Sequence, residues 1–133
     1  MRLLVVDDEA IVGRALQRCL SADHDVEVLS DGVEAVARIR RGDRFDAILC
    51  DVVMPHLTGQ EVYEAIATID REQARRILFM SGRVSDVGCR VGRIPCVAKP
   101  FDLPLLRMMI DGFLPIRLAD GASAFPSHNR RAR

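Results

Sequence analysis

Leu3-Leu4-Val5-Val6-Asp7-Asp8-Glu9 sets an apolar run directly against three acids. The same change recurs along the chain. Ala47-Ile48-Leu49-Cys50 runs into Asp51, Ile77-Leu78-Phe79-Met80 into Ser81, and Cys96-Val97-Ala98 into Lys99. A further run is Val26–Leu29, apolar but for Glu27. The other runs are continuous rather than alternating, the pattern of strands buried on both faces of a parallel sheet. Amphipathic segments lie between them. Ile11, Ala15, Leu16, Cys19 and Leu20 share one helical face, as do Val62, Ala65, Ile66 and Ile69, and again Leu106, Met109, Ile110 and Phe113. Each stripe reads as a core face. Asp31-x-x-Glu34 and Thr58-x-x-Glu61 have the form of capping boxes, and Asp102 precedes Pro104 at the start of the last helix.

Alternating strands and helices over residues 1–114 predict an α/β fold, a three-layer sandwich around one parallel sheet with right-handed crossovers. The weakest element is the fourth helix. Residues 83–93 contain Gly88 and Gly92 and offer little apolar face, so a short or irregular helix is expected there. Residues 115–133 are rich in Pro, Ala, Gly, Ser and Arg without periodicity, which predicts a flexible tail.

The bulk composition suits this reading. Of 133 residues, 49% are apolar and 29% charged, as in a soluble globular domain. Lys+Arg and Asp+Glu both number 19, so no global charge draws the chain to nucleic acid or anionic lipid. Arg130, Arg131 and Arg133 read as part of a solvated tail. The Met1–Val6 segment is too short for a signal peptide, and no run reaches the ~18 apolar residues of a membrane span, so a cytoplasmic location is expected. Cys19, Cys50, Cys89 and Cys96 form no CxxC pair or metal-binding spacing, and read as small buried hydrophobes in a reducing compartment.

In open parallel sheets, sites form at the carboxyl ends of the strands. Asp7, Asp8, Asp51, Ser81 and Lys99 all follow apolar runs, so the fold should bring them to one edge. Two carboxylates at 4 Å repel by about 4 kcal/mol at an effective dielectric of 20. One lysine offsets only part of that. A hard divalent cation such as Mg²⁺, which takes oxygen ligands and keeps several waters, resolves it. Asp51 could then stay ionised and act as a nucleophile. Lys99 is the only lysine; the other 18 basic residues are arginine. A compact ammonium suits a crowded anion site better than a planar guanidinium.

The motifs Val5-Val6-Asp7-Asp8-Glu9, Asp51-Val52-Val53-Met54-Pro55 with Gly59 following, Met80-Ser81-Gly82 and Lys99-Pro100-Phe101 together resemble the receiver domain of two-component response regulators, over residues 1–114. The resemblance implies a flavodoxin-like (βα)5 fold with strand order 2-1-3-4-5. It implies that Asp51 is the phosphoacceptor, that Asp8 binds Mg²⁺ with Asp7 assisting and the Val53 carbonyl completing the protein ligands, and that Ser81 and Lys99 meet the phosphoryl oxygens. A cis Lys99–Pro100 bond would aim the lysine. Glu9 and His56 read as surface residues. The implied partners are a sensor histidine kinase or phosphotransfer protein and an unknown downstream protein, with no direct nucleic-acid or membrane contact.

Two features depart from the family. Cys96 stands where an aromatic residue is usual, three residues before the lysine. The stretch from Ser81 to Lys99 is also short by about one helical turn (about 3.6 residues). Both leave the phosphoryl chemistry intact and disfavour the usual output face, so a monomer is expected. Three other functions compete. An aspartate-nucleophile phosphohydrolase would place a general acid two residues after Asp51, where Val53 stands; the chain is therefore read as a switch and not an enzyme. A nucleotide-binding module would put a glycine-rich loop where Asp7, Asp8 and Glu9 stand. An unphosphorylated docking scaffold would not need the full acceptor set. No output domain fits into residues 115–133, which predicts a stand-alone receiver or a piece of a longer hybrid protein.

Overall fold

The computed structural model describes residues 1–82, 90–91, 94–99 and 101–113. Five parallel strands form the sheet: β1 (Arg2–Val6), β2 (Asp25–Leu29), β3 (Ala47–Asp51), β4 (Ile77–Ser81) and β6 (Ile94–Ala98), in the order β2-β1-β3-β4-β6. This is the expected 2-1-3-4-5 order of a flavodoxin-like sandwich. A two-residue strand, β5 (Arg90–Val91), pairs antiparallel with β6 at the outer edge. It lies where the sequence predicts an irregular fourth helix, so that end of the segment is strand. The remaining residues of 83–93, the peptide at Pro100 and the tail at 115–133 lie outside the described residues.

Helices cover both faces. Leu4, Val6, Ile48, Cys50, Ile77 and Phe79 point to a core shared with α2 (Gly32–Arg40) and α3 (Gly59–Ile69). Leu3, Val5, Ala47, Leu49, Leu78 and Met80 point to a second core, closed by α1 (Ala10–Leu20) and α5 (Leu103–Asp111). Successive strand residues alternate between two dry layers. That alternation is why the strands read as unbroken apolar runs.

The caps form largely as expected. Thr58 and Glu61 close a reciprocal capping box on α3. Asp31 caps α2 by accepting from Val33 N–H, and Asp102 caps α5 by accepting from Leu105 N–H. A short helix that the periodicity missed, α4 (Arg71–Ala74), is capped by Asp70. Its Gln73 is buried and bonds both backbone groups of Phe45, at 2.7 and 2.8 Å. The side chain thus does the work of a strand partner ahead of β3.

One helix sits differently from its apolar stripe. α1 buries Gly13, Leu16 and Leu20, whereas Ile11, Ala15 and Cys19 are exposed. Gly13 explains the rotation. A Cβ there would lie 2.6 Å from Val28 Cγ1, so the helix approaches β2 through its glycine. Cys19 is therefore not the buried hydrophobe expected; Cys50 and Cys96 are.

The turn after β3 is fixed by another close approach. Gly59 N–H donates to Val52 C=O at 2.9 Å. A Cβ on Gly59 would meet the Asp51 carbonyl oxygen at 2.5 Å and Val52 Cα at 2.9 Å. Both obstacles are backbone and cannot yield as a side-chain tip can. Gly59→Ala is therefore expected to lose about 1–3 kcal/mol of stability through overpacking, measured by urea denaturation.

Candidate functional site

The parallel register brings the strand ends side by side. Val6 pairs with Cys50, Asp51 with Met80, and Ser81 with Ala98. The residues that follow or end these strands therefore emerge along one edge. Asp7 N–H continues the ladder to Leu29 C=O at 3.0 Å, and Lys99 N–H to Ser81 C=O at 2.7 Å. An open cleft of ≈340 Å³ lies there, lined by Asp8, Glu9, Asp51, Val53, Ser81 and Lys99.

Asp7 is fully buried, Asp51 and Ser81 are buried, and Asp8 is exposed. One carboxylate oxygen from each of Asp7, Asp8 and Asp51 lies within 4.8 Å of the others. Lys99 Nζ stands 2.9 Å from Asp7 Oδ2, 3.4 Å from Asp51 Oδ1 and 3.5 Å from Glu9 Oε1. The second Asp7 oxygen accepts from Glu9 N–H at 2.9 Å. Each Asp7 oxygen thus has a partner, while Asp8 is exposed at the cleft.

The charges are unequal in their settings. Burial, reinforced by Asp7, pushes the Asp51 carboxyl up to about 6, although Lys99 pulls it down. For Lys99, burial works against the charge, but the bond to Asp7 and the nearness of Asp51 outweigh it and hold the ammonium above its ordinary pKa. Burial pushes the neighbouring Cys50 thiol up, so it stays protonated and unreactive. An anionic cluster with one shared cation and an all-oxygen donor set fits a hard divalent ion.

The sequence-predicted residues Asp7, Asp8, Asp51, Val53, Ser81 and Lys99 come together as expected. Val53 sits at the rim, 59% exposed. His56 is on the surface, in the left-handed region at φ 70°. Glu9 is on the surface as expected, with its side chain 65% exposed, but sequence reasoning missed that it also lines the cleft and reaches Lys99. A signal was present. Glu9 occupies the N-cap of α1, where Asp, Asn, Ser or Thr are the effective caps. Its side chain makes no cap bond and turns to the cleft instead.

Fold and site together define a doubly wound domain with an acidic, lysine-bearing cleft at the carboxyl edge of its sheet. Residues 3–111 match the family model of the response regulator receiver domain, and the chain belongs to that family. The response regulator MprA of Mycobacterium leprae (strain TN) is 36% identical over 126 residues, covering 92% of this chain and 55% of that protein. The MprA of Mycobacterium avium (strain 104) is 39% identical over 106 residues, covering 77% of this chain and 46% of that protein. The chain thus spans about half the length of the curated relatives it matches. Among solved structures, it resembles the receiver domain of the sensor histidine kinase PA1611 from Pseudomonas aeruginosa PAO1, which has a magnesium ion coordinated in its active site cleft. The TM-score is 0.71 at 25% identity, over 84% of this chain and 95% of that one. The chemotaxis protein CheY4 of Vibrio cholerae gives a TM-score of 0.69 at 29% identity, over 85% and 98%.

The raised Asp51 carboxyl has a consequence for stability without metal. Its value in the fold is about 6 against an ordinary 3.8, so the native state holds this proton more tightly than the unfolded chain. Stability from this group is therefore present at low pH and lost as pH rises through about 6. Asp51→Asn removes the charge. Without divalent metal at ~pH 8, it should be about 1 kcal/mol more stable than wild type, after discounting for the solvent-open cleft. The gap should close near pH 4. Thermal melts in chelator across this range make the comparison.

Proposed function

We propose that this receiver domain is a phosphoacceptor switch that takes a phosphoryl group on Asp51 in a Mg²⁺-dependent reaction. The observation that carries the reading is the convergence of Asp7, Asp8 and Asp51, two of which, Asp7 and Asp51, share the ammonium of Lys99. Asp8 and Asp51, with Asp7 and the Val53 carbonyl, would hold the ion. Bound Mg²⁺ would supply the charge neutralisation that one lysine leaves incomplete. A carboxylate oxygen of Asp51 attacks the phosphorus of a phosphohistidine, the P–N bond breaks, and the imidazole leaves with its electron pair. Lys99 and the Ser81 hydroxyl meet the phosphoryl oxygens, giving the crowded charge fixed partners as it moves.

The donor is a sensor histidine kinase or a phosphotransfer protein in the cytoplasm. Among the described residues, no helix is long and apolar enough to cross a membrane. The surface beside the cleft suits such a partner. Ile11 on α1 and Met108 on α5 are 75% and 67% exposed, and Arg107 on α5 bonds the Cys19 carbonyl on α1 at 2.9 Å, so the two helices are neighbours. A docking helix would cover this apolar face.

The phosphorylated form works as a signal and not as a turnover intermediate. Val53, two residues past Asp51, has no proton to give to a leaving group and no hydrogen bond for an attacking water. Its carbon side chain stands at the rim of the cleft instead. Arg83, two residues after Ser81, is the second position that the family resemblance sets beside the water's path, and it lies outside the described residues.

Incubation with acetyl phosphate and Mg²⁺ should add one phosphoryl group by intact mass. The addition should vanish in Asp51→Asn and in chelator. Light scattering on the same samples should give a monomer in both states. Wild type that stays unlabelled would favour the docking-scaffold reading. The lifetime of the product is a separate test. Val53→Asn gives the attacking water a hydrogen-bonding partner and should hydrolyse several-fold faster than wild type, followed by loss of labelled mass with time.

A further inference from the structure

Glu9 is the acid in the cleft that the phosphoacceptor reading leaves without a task. It caps no backbone group, although it occupies the N-cap of α1. Its Oε1 lies 3.5 Å from Lys99 Nζ, on the solvent side of an ammonium whose buried side is taken by Asp7 at 2.9 Å. The Glu9 side chain is 65% exposed and that of Asp7 fully buried, so the two contacts differ in mobility. Glu9 is nevertheless fixed at its root, because its N–H bonds Asp7 Oδ1 at 2.9 Å. That bond fixes the backbone from which the side chain extends, at the rim of the cleft beside the lysine.

We propose that Glu9 is a positioning residue that holds Lys99 in its resting place and sets how readily the lysine turns to an incoming phosphoryl group. The proposal rests on the phosphoacceptor reading and adds a regulatory element to the same site. Lys99 cannot serve Asp7, Glu9, Asp51 and a phosphoryl oxygen equally, since an ammonium has three donors. Asp7 is buried and keeps its share. Glu9 is the solvated competitor, and its negative charge at the cleft mouth also opposes an arriving anion. Removing that charge should release the lysine and favour the phosphoryl-bound state.

Lys99 being the only lysine makes the contact directly measurable. Trace acylation with acetic anhydride labels its amine and the N-terminal amine, and the second serves as an internal reference. In metal-free protein, Glu9→Gln should raise the Lys99 labelling ratio roughly two- to fivefold, the scale of one partly exposed ion pair. Glu9→Asp keeps the charge on a shorter stem and should fall between. Calorimetry at saturating Mg²⁺ should show beryllofluoride binding roughly two- to fivefold tighter in Glu9→Gln, with melting unchanged in metal-free buffer. An unchanged labelling ratio, or weaker beryllofluoride binding, would overturn the proposal. Wild-type protein that binds neither Mg²⁺ nor beryllofluoride would sink the phosphoacceptor reading instead. The metal-free labelling would still decide whether Glu9 holds Lys99.

Discussion

The ammonium of Lys99 joins the two ends of the site. It follows β6, four strands away from β2 across the sheet, and reaches back to Asp7 after β1 and Asp51 at the end of β3. Without it, the fully buried carboxylate of Asp7 would keep, among the described residues, only the Glu9 N–H as partner. A buried charge left unpaired costs several kcal/mol. The register of the strands is therefore not a neutral feature of the fold. It delivers the one cation to the acids that need it, and a shift of one residue in β6 would turn Lys99 to the other face.

The opposite pole of the molecule uses charge in another way. There, Arg38 lies between Glu27 and Asp43, with the former drawing it to β2 and the latter to the turn after α2. Both acids raise its pKa, and Arg38 lowers that of Asp43. Arg2 also meets Glu27 at 3.5 Å and lies over the Phe45 ring at 4.5 Å. Acid and base alternate here, so the charges are matched within the chain. At the cleft they are not matched. Imbalance at one edge, set against balance at the other, marks the cleft as a place in this fold that could hold a metal ion.

The reach of sequence reading follows the same division. The runs of β1, β3 and β4 were legible because burial on both faces permits no polar interruption, so the first polar residue marks the strand end; the edge strand β2 tolerates Glu27 in mid-strand. The order of the sheet came from the motif resemblance, and the hydrogen-bonded register bears it out. Less legible were features in which a residue acts against its type. Gly13 faces the sheet as a contact surface, and hydropathy carries no trace of that. Gln73 is buried because its amide substitutes for a strand. Glu9 stands at a helix N-cap without capping it, and lines the cleft instead. Arg90–Val91 pairs as a strand where the family pattern suggested helix, since edge pairing depends on a tertiary neighbour rather than on local periodicity.

The choice between arginine and lysine completes the physical account. Arginine serves this chain as a clamp on carbonyl oxygens. Arg76 Nη1 bonds the Asp46 carbonyl at 3.1 Å and the Phe113 carbonyl at 2.7 Å, tying the end of α5 to the start of β3. Arg44 bonds the carbonyls of Ile39 and Asp43 and the Asp70 carboxylate, fixing the α2–β3 turn against α4. A planar fork with five donors in set directions suits such permanent contacts. The cleft makes the opposite demand. Its cation sits among three carboxylates at 2.9–3.5 Å, and the proposed switch requires it to exchange one oxygen for another without turning a plane. A point charge on a flexible stem meets that demand, and a guanidinium would lose one directed bond for each it gained. In the proposed switch, position 99 is where the chain needs a cation that can change partners, and it is where the lysine stands.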